Sequence, residues 1–108
     1  MDFNRLTLKA QEAVQAAVQD ARRRGNPEVY PEHLLLALLE QELPRTLVER
    51  ASASVDLLRE AAETRIERAP AIQGAQQQPA ISQALLRVFD KADEERTTLD
   101  DEYVSTEH

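Results

Sequence analysis

The segment Glu28-Val29-Tyr30-Pro31-Glu32-His33 is echoed near the end of the chain by Tyr103-Val104-Ser105-Thr106-Glu107-His108. The offset is 75 residues, from His33 to His108, and it holds without a gap back through the preceding segment. At that spacing Leu6 falls on Ile81, Thr7 on Ser82, Ala10 on Leu85, Ala13 on Val88, Val14 on Phe89 and Ala17 on Ala92. A duplication of this kind constrains architecture more than any local motif. Each copy is one supersecondary unit, and neither unit can bury its apolar face alone.

Composition selects the type of unit. With 108 residues the chain makes one small domain, and aromatics at 4% leave the core to Ala, Leu, Val and Ile. Two glycines and the lack of β-branched runs favour helix over strand, so the expected fold class is all-α. The elements then follow along the chain. Thr7 caps a first helix whose apolar residues, mostly small, recur at Ala10, Ala13, Val14, Ala17, Val18 and Ala21. Gly25-Asn26-Pro27 stops it. Pro31 opens a second helix, and Leu34 to Leu39 are apolar nearly all round, which predicts the most buried element. Pro44 opens a short third helix that runs to Ala51. Ser54 caps a fourth from Val55 to Arg68, with Arg59 and Glu63 spaced to pair on its outer face. Residues 69–80, rich in Gln and Pro, read as a linker. A fifth helix follows Ser82 and turns acidic at Asp93, and Ser105 caps a helix whose body lies beyond His108. About five helices are therefore expected, in two pseudo-symmetric repeats: 1–68, the linker 69–80, and an incomplete second repeat at 81–108. A second repeat ending at His108 would leave the fifth helix to fray or to recruit another molecule.

Charge and missing residue types exclude several functions. The net charge of −7 repels phosphate backbones and argues against a nucleic-acid partner. The basic cluster Arg22-Arg23-Arg24 sits where it complements a helix dipole. Without cysteine there is no disulfide, thiolate zinc site or thiol nucleophile. The amino terminus lacks a signal-peptide pattern, and the longest apolar run is too short to span a bilayer. No membrane association and a cytoplasmic location are expected. No glycine-rich phosphate loop or nucleophile elbow is present, so no catalytic residue, metal or cofactor is assigned. His33 and His108 lack a second ligand at i+4 and are read as satisfying helix-terminal hydrogen bonds or packing between the repeats. Glu32 and Glu107 suit helix starts. The acidic stretch from Asp90 to Asp101 is either a solvated face or the rim of an apolar groove.

Leu6-Thr7 with Ala10-Gln11, Glu32-His33 with Leu34 to Leu39, and Asp100 to His108 together resemble the amino-terminal Clp repeat domain of the Clp ring ATPases. The wording is similar to that of ClpB-type disaggregases, and the resemblance covers essentially the whole chain. It implies a compact helical domain, itself without catalysis, that captures misfolded or aggregated polypeptides through an apolar groove. The hexameric ring and its ATPase modules would lie in domains absent here. Carried onto this sequence, the family's substrate-engaging positions are Thr7, Asp101 and Glu107. The resemblance leaves a second function open: docking of a folded adaptor, as in the protease-linked ClpC and ClpA ATPases. It also implies a second leucine helix after His108, which this chain does not contain.

Overall fold

The computed structural model describes residues 3–72 and 78–108. After a 3-10 turn at Phe3–Arg5 come five α-helices: α1 (Leu8–Arg24), α2 (Pro31–Leu39), α3 (Glu42–Arg50), α4 (Val55–Glu67) and α5 (Gln83–Thr98). Their ends have the expected causes. The Thr7 hydroxyl accepts from the Ala10 N–H at 3.3 Å, and Ser54 and Ser82 cap α4 and α5 in the same way. Gly25 ends α1 with φ 77°, and a Cβ there would lie 2.7 Å from the Ile72 carbonyl oxygen. The left-handed backbone favours glycine, and the close approach requires it. Asp100, its counterpart in the second copy, adopts φ 57°.

The two copies interlock. Two-residue strands β1 (Glu28–Val29) and β2 (Ala80–Ile81) pair in parallel, with Val29 opposite Ile81. An isolated parallel bridge joins Leu6 to Val104. At the repeat offset these are the same rung with the copies exchanged: Leu6 corresponds to Ile81, and Val104 to Val29. The hydrogen bonds repeat as well. The Ser82 N–H donates to the Val29 carbonyl at 3.1 Å, and the Thr7 N–H donates to the Val104 carbonyl at 2.9 Å. Each copy's entry segment is thus held by the other copy's segment before the histidine.

The main core joins Ala13, Ala17 and Ala21 of α1 to Val29, Leu34, Leu85 and Phe89. A smaller cluster, Leu6, Ala10 and Val104, lies under the bridge. The alanine stripe lets α2 pack closely along α1, and Phe3 meets Phe89 edge-on at 5.4 Å between ring centroids.

Four expectations need correction. First, α2 is not buried all round: His33, Leu34 and Leu39 are, whereas Leu35, Leu36, Ala37 and Leu38 are half-buried. Second, α3 begins at Glu42, two residues before Pro44, because a first turn tolerates a missing N–H. Third, Arg59 pairs not with Glu63 but with Asp56 at 3.2 Å and Glu40 at 3.7 Å. Fourth, the linker is partly structured. Ala80 lies in β2, and the Ile72 N–H donates to the Gly25 carbonyl at 2.8 Å. Residues 73–77 of that linker lie outside the described residues.

Candidate functional site

His33 braces the start of α2, and His108 braces the turn Ser105–His108 in the same way. The His33 side chain is fully buried, and its Nδ1 accepts the Tyr30 N–H at 2.9 Å. Nε2 therefore carries the proton and donates to Asn26 Oδ1 at 2.9 Å. Asn26, also buried, passes the restraint on, its Nδ2 donating to the Pro70 carbonyl at 2.9 Å. The Tyr30 ring stacks on the imidazole.

The second copy repeats this geometry. His108 Nδ1 accepts the Ser105 N–H at 2.9 Å, and Nε2 meets Asp101 Oδ2 at 2.8 Å. Asp101 occupies the position equivalent to Asn26, so a neutral partner in one copy is a carboxylate in the other. The His108 side chain is 1% exposed, whereas that of Asp101 is 48% exposed. Arg96 holds the turn: Nη1 donates to the Asp101 carbonyl at 2.9 Å and Nε to Asp93 at 2.8 Å. The Arg96 hydrogen bond holds the Asp93 carboxyl below the ordinary carboxylate range.

The three residues singled out by resemblance surround the turn Ser105–His108. Asp101 and Glu107 flank the imidazole, Glu107 at 4.0 Å from Nδ1, and the Thr7 hydroxyl lies 3.3 Å from that of Ser105. Ser105, His108 and Arg96, which organise this turn, were not singled out as functional positions. The signal was present: Asn26 to His33 and Asp101 to His108 share one spacing in both copies. The ligand-type atoms of Asp101, Glu107 and His108 lie within 4.8 Å of one another. Both ring nitrogens are already engaged, however, and the equivalent His33 uses the same two contacts for structure. In both copies the imidazole thus braces a turn through its two ring nitrogens.

Beside the turn runs an apolar groove of about 90 Å³, walled by Leu34 and Leu38 of α2 and by Val88, Phe89 and Ala92 of α5. A second hollow, about 410 Å³, lies between α1, α2 and α4. Its arginines are internally paired, Arg23 and Arg24 with Asp20, and Arg59 with Glu40 and Asp56.

Residues 5–108 match the family described as the Clp repeat (R) N-terminal domain. The chain belongs to that family. It is 41% identical to the chaperone protein ClpB of Mycobacterium leprae over 110 residues, which is all of this chain and 13% of the relative. The chain thus spans about 13% of the length of the curated ClpB relatives that it matches at this identity. The N-domain of ClpV from Vibrio cholerae superposes with a TM-score of 0.80 at 25% identity, covering 94% of this chain and 61% of that one. The Hsp104 N-terminal domain from Candida albicans shares the fold, with a TM-score of 0.81 at 22% identity, covering 93% of this chain and 67% of that one. The Clp repeat is the binding part of such proteins, not their ATPase module. Both expectations drawn from the resemblance, the family and the helical fold, are met. No helix among the described residues is long and apolar enough to cross a membrane.

Burial of His33 pushes its pKa below 6.5, and Arg24 adds to this, against the opposing pull of Asp20, Glu32 and the Tyr30 hydrogen bond. Below that unfolded-state value the unfolded chain binds the proton more readily, so stability falls with acidification. Above it the two states bind equally and the curve levels. Tm is expected to drop as pH is lowered from about 7.5 to about 5.5, and His33→Gln should flatten that slope. An equal slope in the variant would assign the titration to another group.

Proposed function

We propose that this domain binds polypeptides for a ClpB-like ATP-dependent disaggregase, engaging misfolded or aggregated chains during stress. In this reading the repeats 1–68 and 81–108 and their 69–80 connector form the capture unit. ATP-driven work and the hexameric ring reside in domains outside the chain, and the setting is cytoplasmic. The observation that carries the reading is the convergence of Thr7, Asp101 and Glu107 on one turn beside an exposed apolar groove. Apolar side chains of an unfolded segment fit the groove, and its backbone N–H groups or cationic side chains meet the two carboxylates. One solved neighbour of this fold, with a TM-score of 0.77, is described as a complex of the ClpV N-domain with a VipB peptide. That supports peptide capture by the architecture.

Adaptor docking is the second reading. It draws on the N-terminal domain of the caseinolytic protease associated chaperone ClpD from Arabidopsis thaliana, which superposes with a TM-score of 0.69 at 26% identity. Binding of a denatured polypeptide, compared with binding of a folded adaptor, separates the two.

Asp101→Asn is an informative variant, because asparagine already fills the equivalent role beside His33. The brace survives and the charge is lost. Combined with Glu107→Gln it should weaken binding of a denatured cationic polypeptide by about 1.4- to fivefold per carboxylate, as expected for exposed charges worth ~0.2–1 kcal/mol. Anisotropy titration measures this, with Thr7→Arg as the steric block. Parental affinity in all three variants would remove these residues from the site.

A further inference from the structure

The turns that precede the two histidine braces share one backbone geometry and differ in what fastens them. The Asn26 N–H donates to the Ala21 carbonyl at 2.9 Å, and at the repeat offset the Asp101 N–H donates to the Arg96 carbonyl at 3.0 Å. In the first copy the side chain of the turn residue does the rest. Asn26 is 4% exposed, and its amide accepts from His33 and donates to the Pro70 carbonyl. An ionised carboxylate has no hydrogen to donate, so Asp101 cannot be pinned in that way. The second copy uses Arg96 instead. Its Nη1 donates to the Asp101 backbone carbonyl at 2.9 Å, its Nε to Asp93 at 2.8 Å and its Nη2 to the Thr97 hydroxyl at 3.2 Å, from a side chain 15% exposed. The repeat does not dictate this clasp, because the first copy carries Ala21 at the position of Arg96.

We propose that Arg96 is a positioning residue for polypeptide capture, holding the Asp101 backbone so that its carboxylate faces a cationic side chain of the bound chain. The inference rests on the capture reading above and adds to it a residue that touches no ligand. Gripping the carbonyl rather than the carboxylate leaves the acidic group for other partners. Oδ2 takes the His108 ring at 2.8 Å, and Oδ1 remains for a ligand on a side chain 48% exposed. The planar guanidinium fork holds the carbonyl and Asp93 together in one fixed geometry. Asp93 also offsets the guanidinium charge, so the cation that fastens the turn does not repel the one to be bound.

The test is a double-mutant cycle on binding of a labelled, unstructured Lys/Leu/Gly peptide to the full chain, read by anisotropy, with the Tm of each variant measured beside it. Asp101→Asn should weaken binding by about 1.4- to fivefold, as for one exposed charge. Arg96→Ala should weaken it by a factor within about the same range, and should add nothing in the Asp101→Asn background, where the carboxylate it presents is gone. Electrostatics alone predicts the opposite sign, since deleting a cation beside Asp101 would tighten binding of a cationic ligand. Tm separates positioning from plain stabilisation. Asp101→Asn retains both the backbone carbonyl and Asp93, so Arg96→Ala should lower Tm in both backgrounds while lowering affinity in only one. Arg96→Lys keeps the charge and loses the fork; it is the milder variant for the same cycle if alanine unfolds the turn, and it should weaken binding in the same direction. Parental or tighter binding in the Arg96 variants, or an equal loss in the Asp101→Asn background, overturns the proposal. Parental binding in Asp101→Asn itself would remove that carboxylate from the capture site first, and this inference with it.

Discussion

Leu85→Ala is expected to cost about 2–5 kcal/mol, a large part of the ~5–15 kcal/mol that holds a small domain together. Leu85 is 1% exposed and sits in the main core beside Phe89 and the alanine face of α1. The substitution places in the second copy the residue that the first copy already carries there, since Ala10 is its counterpart. Sequence symmetry would make that harmless, but packing does not. In the first copy Ala10 packs in the small cluster with Leu6 and Val104, whereas Leu85 fills the space left by the small side chains of α1. The two copies are complementary in volume, small on one side and large on the other. Urea denaturation followed by helical circular dichroism should show a lower midpoint and an unchanged slope. The neighbouring Leu86→Ala, at a site 36% exposed, should cost under about 1 kcal/mol. Equal costs at the two positions would mean that α5 contributes little to the core.

That complementarity was only partly legible in the residues. The offset of 75, the caps at Thr7, Ser54 and Ser82 and the glycine stop at Gly25 are local signals, and each predicted its element. The paired rungs Leu6–Val104 and Val29–Ile81 were not visible, because strands of two residues have no period to detect. Nor did periodicity identify Asn26 and Asp101 as partners of the histidines. Those contacts depend on how a left-handed residue, Gly25 or Asp100, aims the turn that follows it. For the same reason Arg96, which holds the Asp101 turn, had no signal of its own, whereas Ser105 and His108 were legible as a cap and a terminal hydrogen-bonding residue. The exposure of Leu35 to Leu38 was missed because hydrophobicity shows that a helix wants burial, not whether its surroundings supply it.

His33→Ala should be the more damaging of the two histidine truncations, at about 3–5 kcal/mol, and His108→Ala clearly smaller. Removing the His33 ring opens a cavity at a fully buried position and leaves two polar groups without their partner: the Tyr30 N–H and Asn26 Oδ1. Asn26 Oδ1 does not reach water easily, because Asn26 is 4% exposed. An orphaned buried donor or acceptor costs roughly 1–3 kcal/mol, on top of the lost packing. At the other brace the ring is equally covered, but Asp101 is half exposed and its carboxylate can turn to solvent once the imidazole is gone. The orphan cost there falls mainly on the Ser105 N–H. The two variants therefore weigh one motif in a closed and in an open setting. Hydrogen exchange gives the local readout. His33→Ala should speed exchange at Ser82, whose N–H is held by the strand after Asn26, as well as in α2, whereas His108→Ala should act mainly on Thr7, the amide bonded to Val104. Equal destabilisation with the same exchange pattern would show that burial of the partner, Asn26 against Asp101, does not set the strength of the brace.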